Sequence, residues 1–371
     1  MSSRVCFVVG ARPNFMKAAP VLRALREVAP GTAPLLVHTG QHYDPEMSDV
    51  FLEQLALPAP DVFLGVGSGT HAEQTARALV GVEGVLAEFE PALVVVPGDV
   101  NSTLAGALAA AKLEIPVAHL EAGLRSFDPS MPEEHNRRLT DHLSSLLLAH
   151  SQSAVENLAA EGIVDGVHLV GNTMIDSLLA HVDAARDARP WERFGVEPGG
   201  YGLATLHRPA LVDDPELLRA TVDALVELSA ATPVVFPAHP RTVARIESAG
   251  LRDAIDASSI ALAEPLGYLD FLGLEAEAQF VLTDSGGVQE ETSALGVRCF
   301  TLRDGTERPI TVELGTNTLL GLRPERIAEI PALLGESRPT HEIPLWDGHA
   351  GERAADVIAR FLADAPLGVA T

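Results

Sequence analysis

The chain has 371 residues, more than one ordinary core needs and comfortable for two domains. Its 51 acids against 26 Lys plus Arg give a formal charge of −25, a surface that repels nucleic acid and anionic lipid. Cys6 and Cys299 sit singly in apolar runs, with no zinc-like Cys/His spacing, and no apolar run reaches membrane-span length. They read as buried free thiols in a reducing compartment.

The first strand, Arg4–Val9, begins almost at once, which argues against a leader and makes the cytoplasm the expected location. A glycine turn follows, Gly10-Ala11-Arg12-Pro13-Asn14-Phe15-Met16-Lys17. In a chain whose only lysines are Lys17 and Lys112, cations beside such a turn point to a phosphate, Arg12 by its fork and Lys17 as a point charge. The second strand, Pro34–Thr39, runs into Gly40-Gln41-His42, which reads equally as a pocket edge or a polar loop. A helical pattern over Ala72–Phe89 precedes the strand Ala92–Pro97, and Gly98-Asp99 comes next. Asn101 or Ser102 can cap the following helix, so Asp99 is available as a catalytic or substrate-binding carboxylate. The helix Thr103–Leu113 is rich in alanine and suits close packing. Glu121 follows the strand Pro116–His119, where a carboxylate is costly without a partner. Pro132-Glu133-Glu134-His135-Asn136-Arg137 opens a helix read as Glu133–Ser145. Glu134 reads as serving the helix dipole, and Glu133 as a third carboxylate beside Asp99 and Glu121. Strands at Leu146–Ala149 and Val167–Val170 complete the first half.

The alternation restarts after Gly171-Asn172, with strands at Gly202–Leu206, Val234–Pro237, Ile260–Ala263, Gln279–Thr283 and Val297–Thr301. Continuous Val/Leu strands separated by helices imply parallel sheets in an α/β fold. The expected division is residues 1–172 and 173–351, with a polar connection over 187–200. A helical segment from 352 to 371 is a candidate to pack back on the first domain. In the second half His207 and His239 each follow a strand, at the edge where such sheets bind ligands. Phe271 reads either as the cover of a uracil ring or as a core aromatic. Thr283-Asp284-Ser285-Gly286-Gly287-Val288-Gln289-Glu290-Glu291 is a strand, a small-residue turn and a helix start. That geometry aims backbone N–H groups at an anion, with Glu291 placed to reach a ribose hydroxyl. Arg303 through Arg308 adds charge after the fifth strand. There is no Walker A loop, dinucleotide fingerprint or Ser–His–Asp pattern.

The ordered set resembles the non-hydrolysing UDP-N-acetylglucosamine 2-epimerases. The matching runs are Gly10-Ala11-Arg12-Pro13, Thr39-Gly40-Gln41-His42, Gly98-Asp99-Val100, His119 to Arg125, Pro132-Glu133-Glu134 with Asn136-Arg137, Gly171-Asn172-Thr173, His207-Arg208, Asp284 to Glu291, and Thr306 to Pro309. The resemblance implies a GT-B fold of two Rossmann-like domains, with the active site in the cleft between them. It implies interconversion of UDP-GlcNAc and UDP-ManNAc by a homodimer, with no cofactor and no metal. It carries Asp99, Glu121 and Glu133 over as catalytic carboxylates, and His207 as the histidine at the diphosphate. It marks Arg12, Ser285, Gly286, Gly287 and Glu291 as UDP contacts. Lys17, Gln41, His42, Arg137, His239, Phe271 and Arg308 are the further candidates for UDP or sugar contact. Regulated bacterial members carry an Arg-Gln pair near Val66–Thr75 for a second, allosteric UDP-GlcNAc; the stretch here has no Arg, so weak or no activation is expected. The rival readings are a hydrolysing epimerase releasing ManNAc, a GT-B glycosyltransferase and an inactive nucleotide-sugar sensor.

Overall fold

Parallel strands with a helix between each pair bury both sheet faces, and this chain does so twice. The computed structural model describes residues 4–41, 59–336 and 341–364, the side chain of Arg12 excepted. His42 lies outside the described residues. The chain divides into two compact units, one reaching to Ala180 and resuming at Pro344, the other spanning His181–Ile343.

The first unit holds β1 (Arg4–Val9), β2 (Ala33–His38), β3 (Val62–Phe63), β4 (Leu93–Pro97), β5 (Val117–Ala122), β6 (Leu146–Ala149) and β7 (Val167–Leu169). They form one parallel sheet in the order β3-β2-β1-β4-β5-β6-β7. The second unit holds β8 (Gly202–Thr205), β9 (Val234–Pro237), β10 (Ile260–Ala263), β11 (Phe280–Thr283), β12 (Arg298–Thr301) and β13 (Asn317–Leu319), in the order β10-β9-β8-β11-β12-β13. Counted within each unit, the second sheet runs 3-2-1-4-5-6, the doubly wound order, and the first runs the same with a seventh strand added at its end. The direction of winding reverses between β1 and β4 and again between β8 and β11. Beyond the carboxyl ends of those pairs lies the crevice where such sheets take ligands.

The central strands are the apolar runs expected of a sheet covered on both faces. Every residue of β4 (Leu-Val-Val-Val-Pro) and of β11 (Phe-Val-Leu-Thr) is buried. The alanine-rich helix Asn101–Lys112 lies close on its sheet because Gly106 lets it. A Cβ there would stand 3.0 Å from Val96 Cγ1 and 3.2 Å from Val8 Cβ. The C-terminal helix, Ala350–Asp364, belongs to the first unit and packs on the helix Arg12–Val28. Asp176 accepts the Ala350 and Gly351 N–H groups at 3.1 and 2.6 Å, which caps that helix. Two strands escaped the sequence reading, β3 and β13. A third, β5, runs on through Glu121, where its register to β6 shifts between Leu120 and Ala122.

Candidate active site

At the switch point of the first unit, the turn after β1 is held by Asn14. Its Oδ1 accepts from Gly10 N (3.1 Å) and Ala11 N (3.2 Å), and its Nδ2 donates to Pro97 O (2.9 Å) at the end of β4. Lys17, one helical turn on, is buried and ion-paired with Glu121. Glu121 is itself a backbone exception, at φ +70° in a region that L-residues avoid. A non-glycine residue held there costs of order 1–3 kcal/mol and clusters at functional sites. Gly98, at φ +68°, faces this pair: a Cβ would lie 3.1 Å from Lys17 Nζ and 3.5 Å from Glu121 Oε2.

Asp99 accepts from Arg137 Nη2 at 2.5 Å, and Arg137 Nη1 reaches Glu134 at 2.7 Å. Arg137 is almost wholly buried, so this pairing answers its desolvation. Glu134 is more than a helix-dipole acid. It also accepts from Ser126 N and Oγ, both at 2.8 Å. Burial pushes its carboxyl up, but the Ser126 donors and Arg137 outweigh that and hold it below the ordinary range. Asn136 Nδ2 donates to the Asp99 carbonyl at 2.9 Å. Glu133 is half-buried and lines a cavity of about 320 Å³ with Gln41, Ser68, His71, Gln74 and Asn101 among others, none of them Lys or Arg. Gln41 Oε1 accepts from Ser102 N (3.0 Å) and Ser102 Oγ (2.8 Å). Arg77, just past this stretch, donates to the Ser68 carbonyl at 2.8 Å.

At the second unit's switch point, His207 follows β8 and Asp284 ends β11. Asp284 accepts the His207 and Arg208 N–H groups, each at 2.8 Å, and its other oxygen lies 2.9 Å from His207 Nδ1. The carboxylate is buried and the imidazole about half exposed, the usual arrangement for orienting a working ring. Burial raises the Asp284 carboxyl; the His207 contacts and the Arg208 N–H more than reverse this. The helix Gly286–Leu295 starts next, and Ser285 does not cap it with its side chain. Gly286 is required by what lies against it: a Cβ would stand 2.5 Å from Arg308 Nη1. A helix N-terminus and a guanidinium therefore share one spot, as an anion site needs. Arg308 is held by Glu290 and Glu307, both at 2.8 Å. Glu307 also meets Arg303 (2.6 Å) and Arg208 (3.6 Å). Burial would lift the Glu307 carboxyl, but Arg308, Arg303 and Arg208 hold it far below the ordinary range. Glu291 goes the other way: burial and Glu290 push it up to about 7.

His239 is exposed and caps the helix Pro240–Ser248, its Nδ1 accepting from Arg241 N at 3.2 Å. Phe271 is half-buried against the cluster of Trp191, Leu203 and Val281. Sequence reasoning passed over His119, Glu134, Asn136 and Asp141 as working parts. The partners of Glu134, Ser126 and Arg137, are local, but those of the other three lie 16 to 37 positions away, for instance Asn136 with Asp99 and Arg125 with Asp141. A polar side chain inside the apolar strand Val117–Ala122 was the one available signal for His119.

Two doubly wound parallel sheets in one chain define an α/β protein of the GT-B type. The sequence profile of the UDP-N-acetylglucosamine 2-epimerase family matches residues 26–359, and the chain belongs to that family of isomerases. It is 42% identical over 362 residues to a UDP-N-acetylglucosamine 2-epimerase of Methanocaldococcus jannaschii, covering 96% of this chain and 98% of that one. The crystal structure of the Methanocaldococcus enzyme in complex with UDP-GlcNAc and UDP superposes with a TM-score of 0.88 at 43% identity, over 97% of this chain and 99% of that chain. A UDP-2,3-diacetamido-2,3-dideoxy-D-glucuronate 2-epimerase of Pseudomonas aeruginosa is also 42% identical, over 96% of this chain and all of the other.

Proposed function

We propose that the protein interconverts UDP-GlcNAc and UDP-ManNAc without hydrolysis. The observation that carries this is the group of carboxylates at the first switch point, Glu121 fixed by Lys17 and Asp99 by Arg137, beside an enzyme family whose reaction is epimerisation at carbon 2. The C1–O bond to UDP breaks and its electron pair leaves with the β-phosphate. The carbon 2 proton passes to a carboxylate, and a C1=C2 double bond forms, giving 2-acetamidoglucal and UDP. Protonation of carbon 2 from the other face and re-addition of UDP invert the centre. Asp99, Glu121 and Glu133 supply the acid and base, Lys17 balances the charge of Glu121, and Arg137 orients Asp99. His207, oriented by Asp284, meets the diphosphate as it departs. Arg12, the helix start at Ser285-Gly286-Gly287 and Arg308 hold the phosphates, and Glu291 accepts the ribose hydroxyls. Gln41, His42, His239 and Phe271 are the remaining contacts in this reading.

The reaction needs no redox cofactor, and a homodimer in the cytoplasm is the form we expect. Among the described residues no helix is long and apolar enough to cross a membrane. The test is proton NMR with UDP-GlcNAc in deuterium oxide. UDP-ManNAc carrying deuterium at carbon 2 is the expected product; free ManNAc would establish the hydrolysing class instead. A second reading draws on the 42% identity to the diacetamido-glucuronate epimerase, equal to that with the archaeal enzyme. It predicts slow turnover of UDP-GlcNAc and fast turnover of the oxidised, diacetamido sugar in the same assay. Among the described residues, the cavity lined by Gln41, Ser68 and Glu133 has no Lys or Arg in its lining to hold a second diphosphate. We therefore expect a hyperbolic rate curve, and UDP-ManNAc turnover that does not depend on added UDP-GlcNAc.

A further inference from the structure

We propose that His119, held with hydrogens on both ring nitrogens, is a positioning residue that locks the Gly98–Asp99 turn onto the strand carrying Glu121. The proposal rests on the reading that Asp99 and Glu121 perform the chemistry. His119 lies on β5 and its side chain is wholly buried. Its Nε2 is 2.7 Å from the Gly98 carbonyl oxygen, and its Nδ1 is 2.7 Å from Asp141 Oδ1. A carbonyl oxygen can only accept, so Nε2 carries a hydrogen. Asp141 also receives Arg125 Nη1 at 2.7 Å and Gly123 N at 3.2 Å, so it stands as an ionised carboxylate, which can only accept. Nδ1 therefore carries the second hydrogen. A neutral imidazole would turn a lone pair toward one of two oxygens at 2.7 Å. Both contacts have the length of charge-assisted bonds. Arg125 is anchored in turn by Glu161, at 2.8 and 3.0 Å, so the Asp141 carboxylate has little room to move.

The same strand fastens the turn at its other end, because Gly98 N donates to the Leu120 carbonyl at 2.9 Å. Residues 119 and 120 thus grip both the oxygen and the nitrogen of Gly98. The next residue on the strand is Glu121 in its strained conformation, and the next residue on the turn is Asp99. Two carboxylates, one on a strand and one on a turn, are set relative to one another through a single glycine. Strain of this kind persists only where the surroundings over-determine it. His119 touches neither substrate nor reacting atoms in this scheme; it acts through Gly98. A misplacement of about 1 Å at the reacting centre costs about 100-fold in rate.

The test compares wild type with His119→Gln, which keeps a donor for the Gly98 carbonyl, and His119→Phe, which keeps only bulk. Steady-state epimerisation with carbon 2 deuterium uptake, UDP calorimetry, and nitrogen-15 NMR of histidine-labelled protein at neutral pH are the readouts. The expected result is a wild-type imidazole with both nitrogens protonated, and one hydrogen lost in Asp141→Asn. His119→Phe should lower kcat about 100-fold while KM and the UDP Kd stay within about threefold. His119→Gln should recover about tenfold of that loss. Equal loss in both variants, a raised KM with unchanged kcat, or a single ring hydrogen in wild type would overturn the proposal. If His119→Phe fails to fold, the Gln variant and the NMR signal decide alone. A wild type that takes up no deuterium with either UDP-sugar would sink the reading of the site and the positioning role with it, while the ring hydrogens would still show whether the Asp141–His119–Gly98 link exists.

Discussion

The two units solve the same topological problem with opposite charges. Each winds its first six strands 3-2-1-4-5-6 and opens its crevice beyond the first and fourth. In the first unit the crevice edge carries Glu121 tied to Lys17 and Asp99 tied to Arg137. In the second it carries a helix start, a histidine oriented by Asp284, and Arg308 pressed against Gly286. The scaffold fixes where a ligand goes, and the loop residues fix what is done to it. In the reaction we propose, the first edge does the chemistry and the second holds the nucleotide, so changes in one unit should spare the function of the other.

The largest effect should come from the first unit. Asp99→Asn and Glu121→Gln should lower turnover by about 1,000-fold or more. The UDP Kd should stay within about tenfold, or roughly 1.4 kcal/mol. Arg12→Ala should do the reverse, weakening UDP before it slows the bound reaction. Calorimetry with UDP beside steady-state kinetics checks both halves. Loss of UDP binding in either carboxylate variant would give that residue a structural role and break the division between the units.

A smaller effect concerns stability in the second unit. Glu307 sits among Arg308, Arg303 and Arg208, and removing its charge leaves three guanidinium groups short of a partner. Glu307→Gln should cost about 3 kcal/mol at neutral pH. The sign follows from its depressed carboxyl. Burial works against the ionised form, but the three arginines prevail, so the folded state holds its proton less tightly than the unfolded chain does. The stabilisation is complete above the unfolded value of about 4.3 and fades as pH falls toward the folded one. Thermal melts of wild type and variant should differ widely at pH 7 and converge well below pH 4.

Much of this division was legible in the residue order. The bounds of β1, β6, β9 and β10 match the apolar runs, and β6 and β9 are apolar throughout because every residue in them is buried. The edge strand β3 has two residues and β13 three, too short for a pattern to register. The expected end of β5 at His119 mistook a charged residue for a strand end; Glu121 stays in the strand through a bulge and a left-handed backbone. The candidate acids were visible as carboxylates following apolar runs. Their partners were not, since Lys17 and Glu121 lie 104 positions apart and meet only through the sheet. Nor was the reason for Gly286, which lies in Arg308, 22 residues on.

The finest test of the comparison is Glu291, an acid of the second unit that runs against Glu307. Where Glu307 is held ionised by three arginines, Glu291 is raised to about 7, first by burial and then by the charge of Glu290. An acid whose folded value lies above its unfolded one destabilises the fold as pH rises. The penalty begins near the unfolded value of about 4.3 and is complete above about 7. Without nucleotide, Glu291→Gln should therefore be the more stable protein at pH 8 and show little advantage near pH 4. The same change should weaken UDP by about tenfold, because an ionised acceptor for the ribose hydroxyls is gone. A melting series across pH, run beside UDP calorimetry, reads both. Gain of stability together with loss of affinity would mean that the second unit keeps a strained acid for its ligand, as the first keeps Glu121 for the reaction. Loss of stability at pH 8 would instead make Glu291 a structural acid like Glu307.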